Sequence, residues 1–419
     1  MILALLTVLL VLAFIAAMYM AWTIGANDVA NAMGTSVGSG AVTLKKAIII
    51  AGIFDLLGAI LVGSHVTATI KDEIIDLDSF TGDNGKMIVL SGMFAALLGT
   101  AIFMTIATYF KLPVSTGHGI VGGVVGFGLI SSLIGEMDIT AINGYKLLEI
   151  SASWVISPLA GGVLAFVLFA VIKRYVLHSD NVIRAVKRMS PLFVGVVFFI
   201  LSLSIIYKGL AGLGLDTVPF THALLVSAEI GVLSGLVCRL LVRDLRLKKG
   251  ESDFDMVERI FGFLLIITSC YIAFAHGASD VSHAIGPLAA VISIYFNDPV
   301  SSVPLWILIV GGAVIVLGIY TWGYKVMETM GRSITKITPS RGFAATFGAA
   351  TSVLICSKLG LPISTSHCAV GGVVGVGFVK GAGSIDFKVL KKIGLSWIIT
   401  IPAAAFLSVV IFLIIIAVT

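Results

Sequence analysis

Gly25-Ala26-Asn27-Asp28-Val29-Ala30-Asn31-Ala32 returns about 250 residues later as Gly277-Ala278-Ser279-Asp280-Val281-Ser282-His283-Ala284. A second motif does the same: Leu112-Pro113-Val114-Ser115-Thr116-Gly117-His118 returns as Leu361-Pro362-Ile363-Ser364-Thr365-Ser366-His367. Both pairs set ionisable or hydroxyl groups beside glycine or proline inside apolar stretches. Interrupted hydrophobic segments in matching positions of a duplicated chain point to a membrane architecture with its site between the two halves.

The repeat widens around these motifs. Gly63–Ile70 aligns with Gly323–Met330, Phe94-Ala95-Ala96 with Phe343-Ala344-Ala345, and Val121–Gly126 is identical to Val370–Gly375. Ser153-Trp154 with Pro158 echoes Ser396-Trp397 with Pro402. The alignment predicts a first repeat over 1–165, a second over 258–419, and an unmatched insert of about two spans over 166–257.

Composition supplies the solvent. The chain is 58% hydrophobic and 12% charged with a mean hydropathy of +1.11, whereas soluble domains carry about 25% charged residues. Charge-free runs such as Met1–Asn27, Met87–Phe110, Ile150–Ile172 and Ile393–Thr419 each reach the roughly 18 apolar residues that cross a bilayer. About eleven or twelve hydrophobic elements are predicted. The fold class expected is therefore an all-α polytopic membrane protein with an internal duplication and discontinuous or re-entrant helices. Asp28 is the first charged side chain, so the amino terminus lacks the basic region of a cleaved signal and reads as the first membrane helix.

The net charge of +5 marks membrane ends and gives no sign of nucleic-acid binding. Lys173, Arg174, Arg184, Lys187 and Arg188 form one basic cluster, and Arg239, Arg243, Arg246, Lys248 and Lys249 another. Two spans separate them, so both lie on one side, which the positive-inside rule makes cytoplasmic. Residues 239–259 are expected to be a short cytoplasmic linker. Seven crossings between the two Asp motifs favour inverted halves, and a re-entrant reading of one segment would make them parallel. Cys238, Cys270, Cys356 and Cys368 lack metal or disulfide spacing and read as small buried hydrophobes.

An Asp near the bilayer centre costs about 2.5–3.5 kcal/mol, so two of them need a purpose. Gly25, Asn27, Asn31 and Gly34 are weak helix formers, as are Gly277, Ser279, Gly286 and Pro287. They predict backbone unwound beside Asp28 and Asp280, with carbonyl oxygens joining the carboxylates, Asn27 and Ser279 around a hard cation such as sodium. A proton carried by the carboxylates is the alternative. In the second motif, Pro113 and Pro362 end or start helices and place Ser115, Thr116, Ser364 and Thr365 at helix N-termini, where unpaired N–H groups attract anions. Gly117 and Ser366 permit close approach, and Asn31 and His283 are candidate additional donors. His118 and His367 match in both halves and read equally well as packing residues. Neither motif pair contains Lys or Arg, so an anion there would draw its countercharge from cations co-bound at the acids, a mutual coupling of affinities. A protonated oxyanion such as phosphate can donate to an Asp; sulfate at neutral pH cannot.

These motifs, in this order and in both halves, resemble the inorganic phosphate transporter (PiT) family of cation-coupled symporters. The resemblance implies import of inorganic phosphate with sodium, or with protons in some bacterial members. It implies functional roles for Asp28, Asp280, Ser115, Thr116, Ser364 and Thr365, and places Asp55 where members often carry a carboxylate. Two departures stand out. Gly342-Phe343-Ala344-Ala345-Thr346 lacks the glutamate that members often have after Gly-Phe, and Ser279 and His283 replace asparagines. The short central linker resembles prokaryotic members. The partners implied are phosphate, sodium and the lipid bilayer of the cell membrane, with no bound cofactor; a homodimer is among the assemblies left open. Proton-coupled phosphate or metal-phosphate symport, and carriage of another oxyanion such as sulfate, are the alternatives. A channel is a more distant rival. An intramembrane aspartyl protease is disfavoured, because the two acids occupy equivalent motifs without a Gly-x-Gly-Asp context.

Overall fold

The computed structural model describes residues 2–70, 74–77, 80, 82–206, 218–247, 249–296, 303–358 and 363–418, so Leu361 and Pro362 of the second motif lie outside the described residues. Thirteen α-helices make up almost all of it. They are α1 (Ile2–Gly38), α2 (Leu44–Ile70), α3 (Gly82–Tyr109), α4 (Thr116–Leu133), α5 (Gly144–Ile172), α6 (Val182–Ser204), α7 (Phe220–Arg243), α8 (Asp253–Phe296), α9 (Leu305–Trp322), α10 (Tyr324–Glu328), α11 (Pro339–Lys358), α12 (Thr365–Lys380) and α13 (Phe387–Val418). Ten of them are long and apolar enough to cross a membrane. The others are the five-residue α10, the more polar α11 and the 16-residue α12.

The outer helices carry their apolar side chains outward. Leu233, Leu236 and Leu240 on α7 and Phe406 and Ile414 on α13 are exposed. In a bilayer such faces meet lipid, where the closed hydrogen bonding of a helix is the condition for crossing. The charged linker is shorter than its composition suggests: α7 continues to Arg243 and α8 begins at Asp253.

The helices of one half pack on those of the other in reciprocal pairs. α2 packs on α8 as α9 packs on α1; α5 lies against α11 and α12 as α13 lies against α3 and α4. The glycines show the same exchange. A Cβ on Gly58 would meet the Phe274 carbonyl oxygen at 2.0 Å, and one on Gly318 would meet that of Trp22 at 2.0 Å.

One expectation is corrected. The chain does not unwind at the Asp motifs, because α1 and α8 run through them without a break. Their glycines serve close approach instead: a Cβ on Gly25 would lie 1.9 Å from the Ile315 carbonyl oxygen, and one on Gly277 1.9 Å from that of Asp55. Pro287 is accommodated inside α8. The discontinuities fall at the other motif, where α3 gives way to α4 and α11 to α12.

Candidate functional site

Ser115 and Ser364 are the N-caps of α4 and α12. Each hydroxyl accepts the backbone N–H three residues on, from His118 and His367 respectively, both at 3.3 Å. This is ordinary capping, and it turns the next residues toward α1. Thr116 Oγ1 donates to Asp28 Oδ2 at 2.7 Å. Ser366 Oγ lies 3.2 Å from Asp28 Oδ1 and 3.1 Å from the Val114 carbonyl oxygen, and accepts from Asn31 Nδ2 at 2.8 Å. One carboxylate on a continuous helix therefore gathers the starts of two half-length helices, one from each repeat. Asp28 is 1% exposed and Asp280 3% exposed, which excludes solvation at a helix end.

The arrangement is not symmetric. Alignment pairs Thr116 with Thr365 and Gly117 with Ser366, yet the hydroxyls on Asp28 come from Thr116 and Ser366. Where Asn31 meets Ser366, its counterpart His283 meets Gly117, whose Cβ would lie 3.1 Å from His283 Nε2. His283 Nδ1 also approaches Thr116 Oγ1 at 3.4 Å. Asp280 takes a hydrogen bond from its neighbour Ser279 at 2.6 Å. Thr365 is half-buried at the start of α12.

Asn27 faces the other way. Its amide donates to Thr108 Oγ1 at 2.9 Å and to the Leu112 carbonyl oxygen at 3.0 Å, and its oxygen accepts from Val114 N at 3.2 Å. The side chain expected beside a cation thus fixes the loop between α3 and α4.

His276, one residue before the second motif, was not singled out by the sequence. Its Nε2 lies 3.0 Å from Asp280 Oδ2 and 4.0 Å from Asp28 Oδ2, and its Nδ1 is hydrogen-bonded to Asp55. Asp28, His276 and Asp280 each offer a ligand atom, all within 4.8 Å of one another. The oxygen donors suit a hard monovalent cation, and the imidazole adds a proton-carrying group between three acids. The one available signal was an imidazole in an otherwise charge-free span, but the repeat concealed it because its counterpart is Ile24. Asp55 joins the cluster through His276 and has Ile315 as its counterpart, since Gly25 and Gly277 pack on those two residues.

His118 and His367 stand behind the helix starts. Their rings are 5.0 Å apart edge to face, His367 stacks on Trp397 at 3.8 Å, and His118 Nε2 meets Ser153 Oγ at 3.3 Å. Trp397 Nε1 donates to the Pro113 carbonyl oxygen at 3.0 Å. The pair braces the two half-helices and does not reach Asp28.

Chemically, the site offers two helix N-termini and hydroxyl donors for an anion, and buried carboxylates for cations, with no fixed basic side chain among the motif residues. Residues 24–408 match the phosphate transporter family. The chain is 42% identical over 407 residues to a candidate phosphate permease of Pyrococcus abyssi, covering 96% of this chain and 97% of that protein. It is 39% identical over 427 residues to the chloroplastic inorganic phosphate transporter 2-1 of Arabidopsis thaliana, covering 94% and 70%. A solved structure described as the sodium-dependent phosphate transporter superposes with a TM-score of 0.86 at 37% identity, covering 98% of this chain and all of that one.

Proposed function

The chain belongs to the phosphate transporter family, and from that premise we propose that it imports inorganic phosphate by symport with sodium. It is a multi-pass membrane transport protein, not an enzyme. The observation that carries the reading is Asp28, a buried carboxylate reached at once by Thr116 of α4 and Ser366 of α12. With no fixed cation at hand, phosphate arriving at those helix starts needs positive charge beside Asp28 and Asp280, and sodium supplies it. The sodium-dependent solved relative supports that choice of ion.

In this mechanism sodium binds between Asp28 and Asp280 with help from Ser279. Neutralised, Asp28 relaxes its hold on Thr116 and Ser366, and their hydroxyls turn to the phosphate oxygens. The N–H groups at the starts of α4 and α12 complete the cradle, with Asn31 and His283 at its edges. The protonated oxygen of hydrogen phosphate donates to a carboxylate, a bond sulfate cannot make. The repeats 1–165 and 258–419, inverted with respect to each other, then rock about the site and expose it to alternate sides; the 166–257 insert flanks them.

The test is phosphate uptake into proteoliposomes with sodium and proton gradients imposed separately. An inward sodium gradient at equal pH drives accumulation, and excess sulfate does not compete. Accumulation driven by a proton gradient without sodium would instead favour the second reading, proton coupling, for which His276 between Asp55 and Asp280 is the observation.

A further inference from the structure

We propose that the loop between α3 and α4 is a gate latched by charge to α10, and that this latch exists at only one face of the membrane. The inference rests on the site described above and goes beyond it. α10 and the turn after it run beside the last turns of α1, where Gly331 packs on Gly34 and Gly38. Three contacts tie the loop and the last residue of α3 to that strip. Lys111 Nζ pairs with Glu328 Oε2 at 2.7 Å, and Thr329 Oγ1 donates to the Lys111 carbonyl oxygen at 2.8 Å. Lys325 Nζ lies 5.1 Å from the Tyr109 ring centre and 4.5 Å from that of Trp322.

The loop is held in a conformation it would not keep unaided. Lys111 has φ +60, the only positive value at a non-glycine among the described residues, a region L-residues seldom occupy unless their surroundings enforce it. Asn27 enforces it from the site side through Leu112 and Val114, and α10 from the solvent side. Lys111 and Glu328 have side chains 51% and 54% exposed, whereas Thr116, five residues on from Lys111, is buried on Asp28. This short loop therefore lies between Asp28 and the exposed Lys111–Glu328 pair.

The latch is weak by construction. Exposed ion pairs contribute little, which suits a closure that must release in every cycle. It is also one-sided. In the other repeat the residues aligned with Lys111, Glu328 and Lys325 are Gly360, Ala68 and His65, so the sequence does not repeat these side chains there.

The test reads exposure of Val114, a residue of the loop fully buried against α3. Val114→Cys is placed in a chain whose four native cysteines are changed to alanine, and a membrane-impermeant maleimide is added from either side. Glu328→Gln, and independently Lys111→Gln, raises the labelling rate by about two- to fivefold from the face where α1 ends. The exchange Lys111→Glu with Glu328→Lys brings it back, and labelling from the opposite face does not change. Unchanged labelling in both single variants, an equal rise from both faces, or no recovery on exchange would overturn the proposal. Binding of inorganic phosphate by the cysteine-free parent is measured alongside. Its absence would sink the proposed function, while the labelling still judges the latch.

Discussion

Asp28 accepts two hydroxyl hydrogen bonds from helices that belong to different repeats. Hydrogen bonds to a charged group contribute about 1.5–3 kcal/mol each, so the carboxylate holds the two helix starts together. Asp28→Asn should abolish sodium-driven phosphate uptake while the protein still inserts and elutes as a folded species; wild-type uptake would sink the assignment. Thr116→Val and Ser366→Ala should each lower uptake by roughly tenfold or more, whereas Thr365→Val, for all its sequence equivalence to Thr116, should cost far less. That contrast was not legible in the sequence. The repeat marked the Ser-Thr pairs as equals, but successive residues on a helix point about 100° apart, and the phase of α12 brings Ser366 to Asp28. The acids and the helix starts were legible because they recur; His276 was missed because it does not.

Helix continuity is decided by what surrounds a helix. Gly25 and Gly277 carry the poor propensity that suggested unwinding, yet α1 and α8 stay intact because neighbouring backbones come within reach of each glycine. Propensity is a weak prior that packing overrides, and a sequence does not display its neighbours. The serine caps fared better, since capping is local chemistry: α4 and α12 begin one residue after Ser115 and Ser364. Gly277→Ala should therefore act through packing. Its added methyl meets the Asp55 backbone, and overpacking of this kind costs about 1–3 kcal/mol or more. The expected result is a clear fall in the thermal unfolding midpoint in detergent with the helical content of the folded state unchanged; loss of helix at low temperature would instead favour the unwound reading.

At the scale of the molecule, the all-helical membrane class follows from hydropathy, which predicts about eleven or twelve elements where ten of the described helices are long and apolar enough to cross. The way the halves interlock does not, because the contacts span most of the chain's length and leave no local pattern. Each repeat supplies α5 or α13 as the wall for the other's half-helix, and Asp28 takes one hydroxyl from each. Neither polypeptide segment alone assembles the candidate site. A gene divided in the connection between α7 and α8, after Lys249, should then yield two fragments that are inert when expressed singly and restore phosphate accumulation when produced together. Each half is packed against the other along its length, so a lesion in one repeat is felt in the assembly of both.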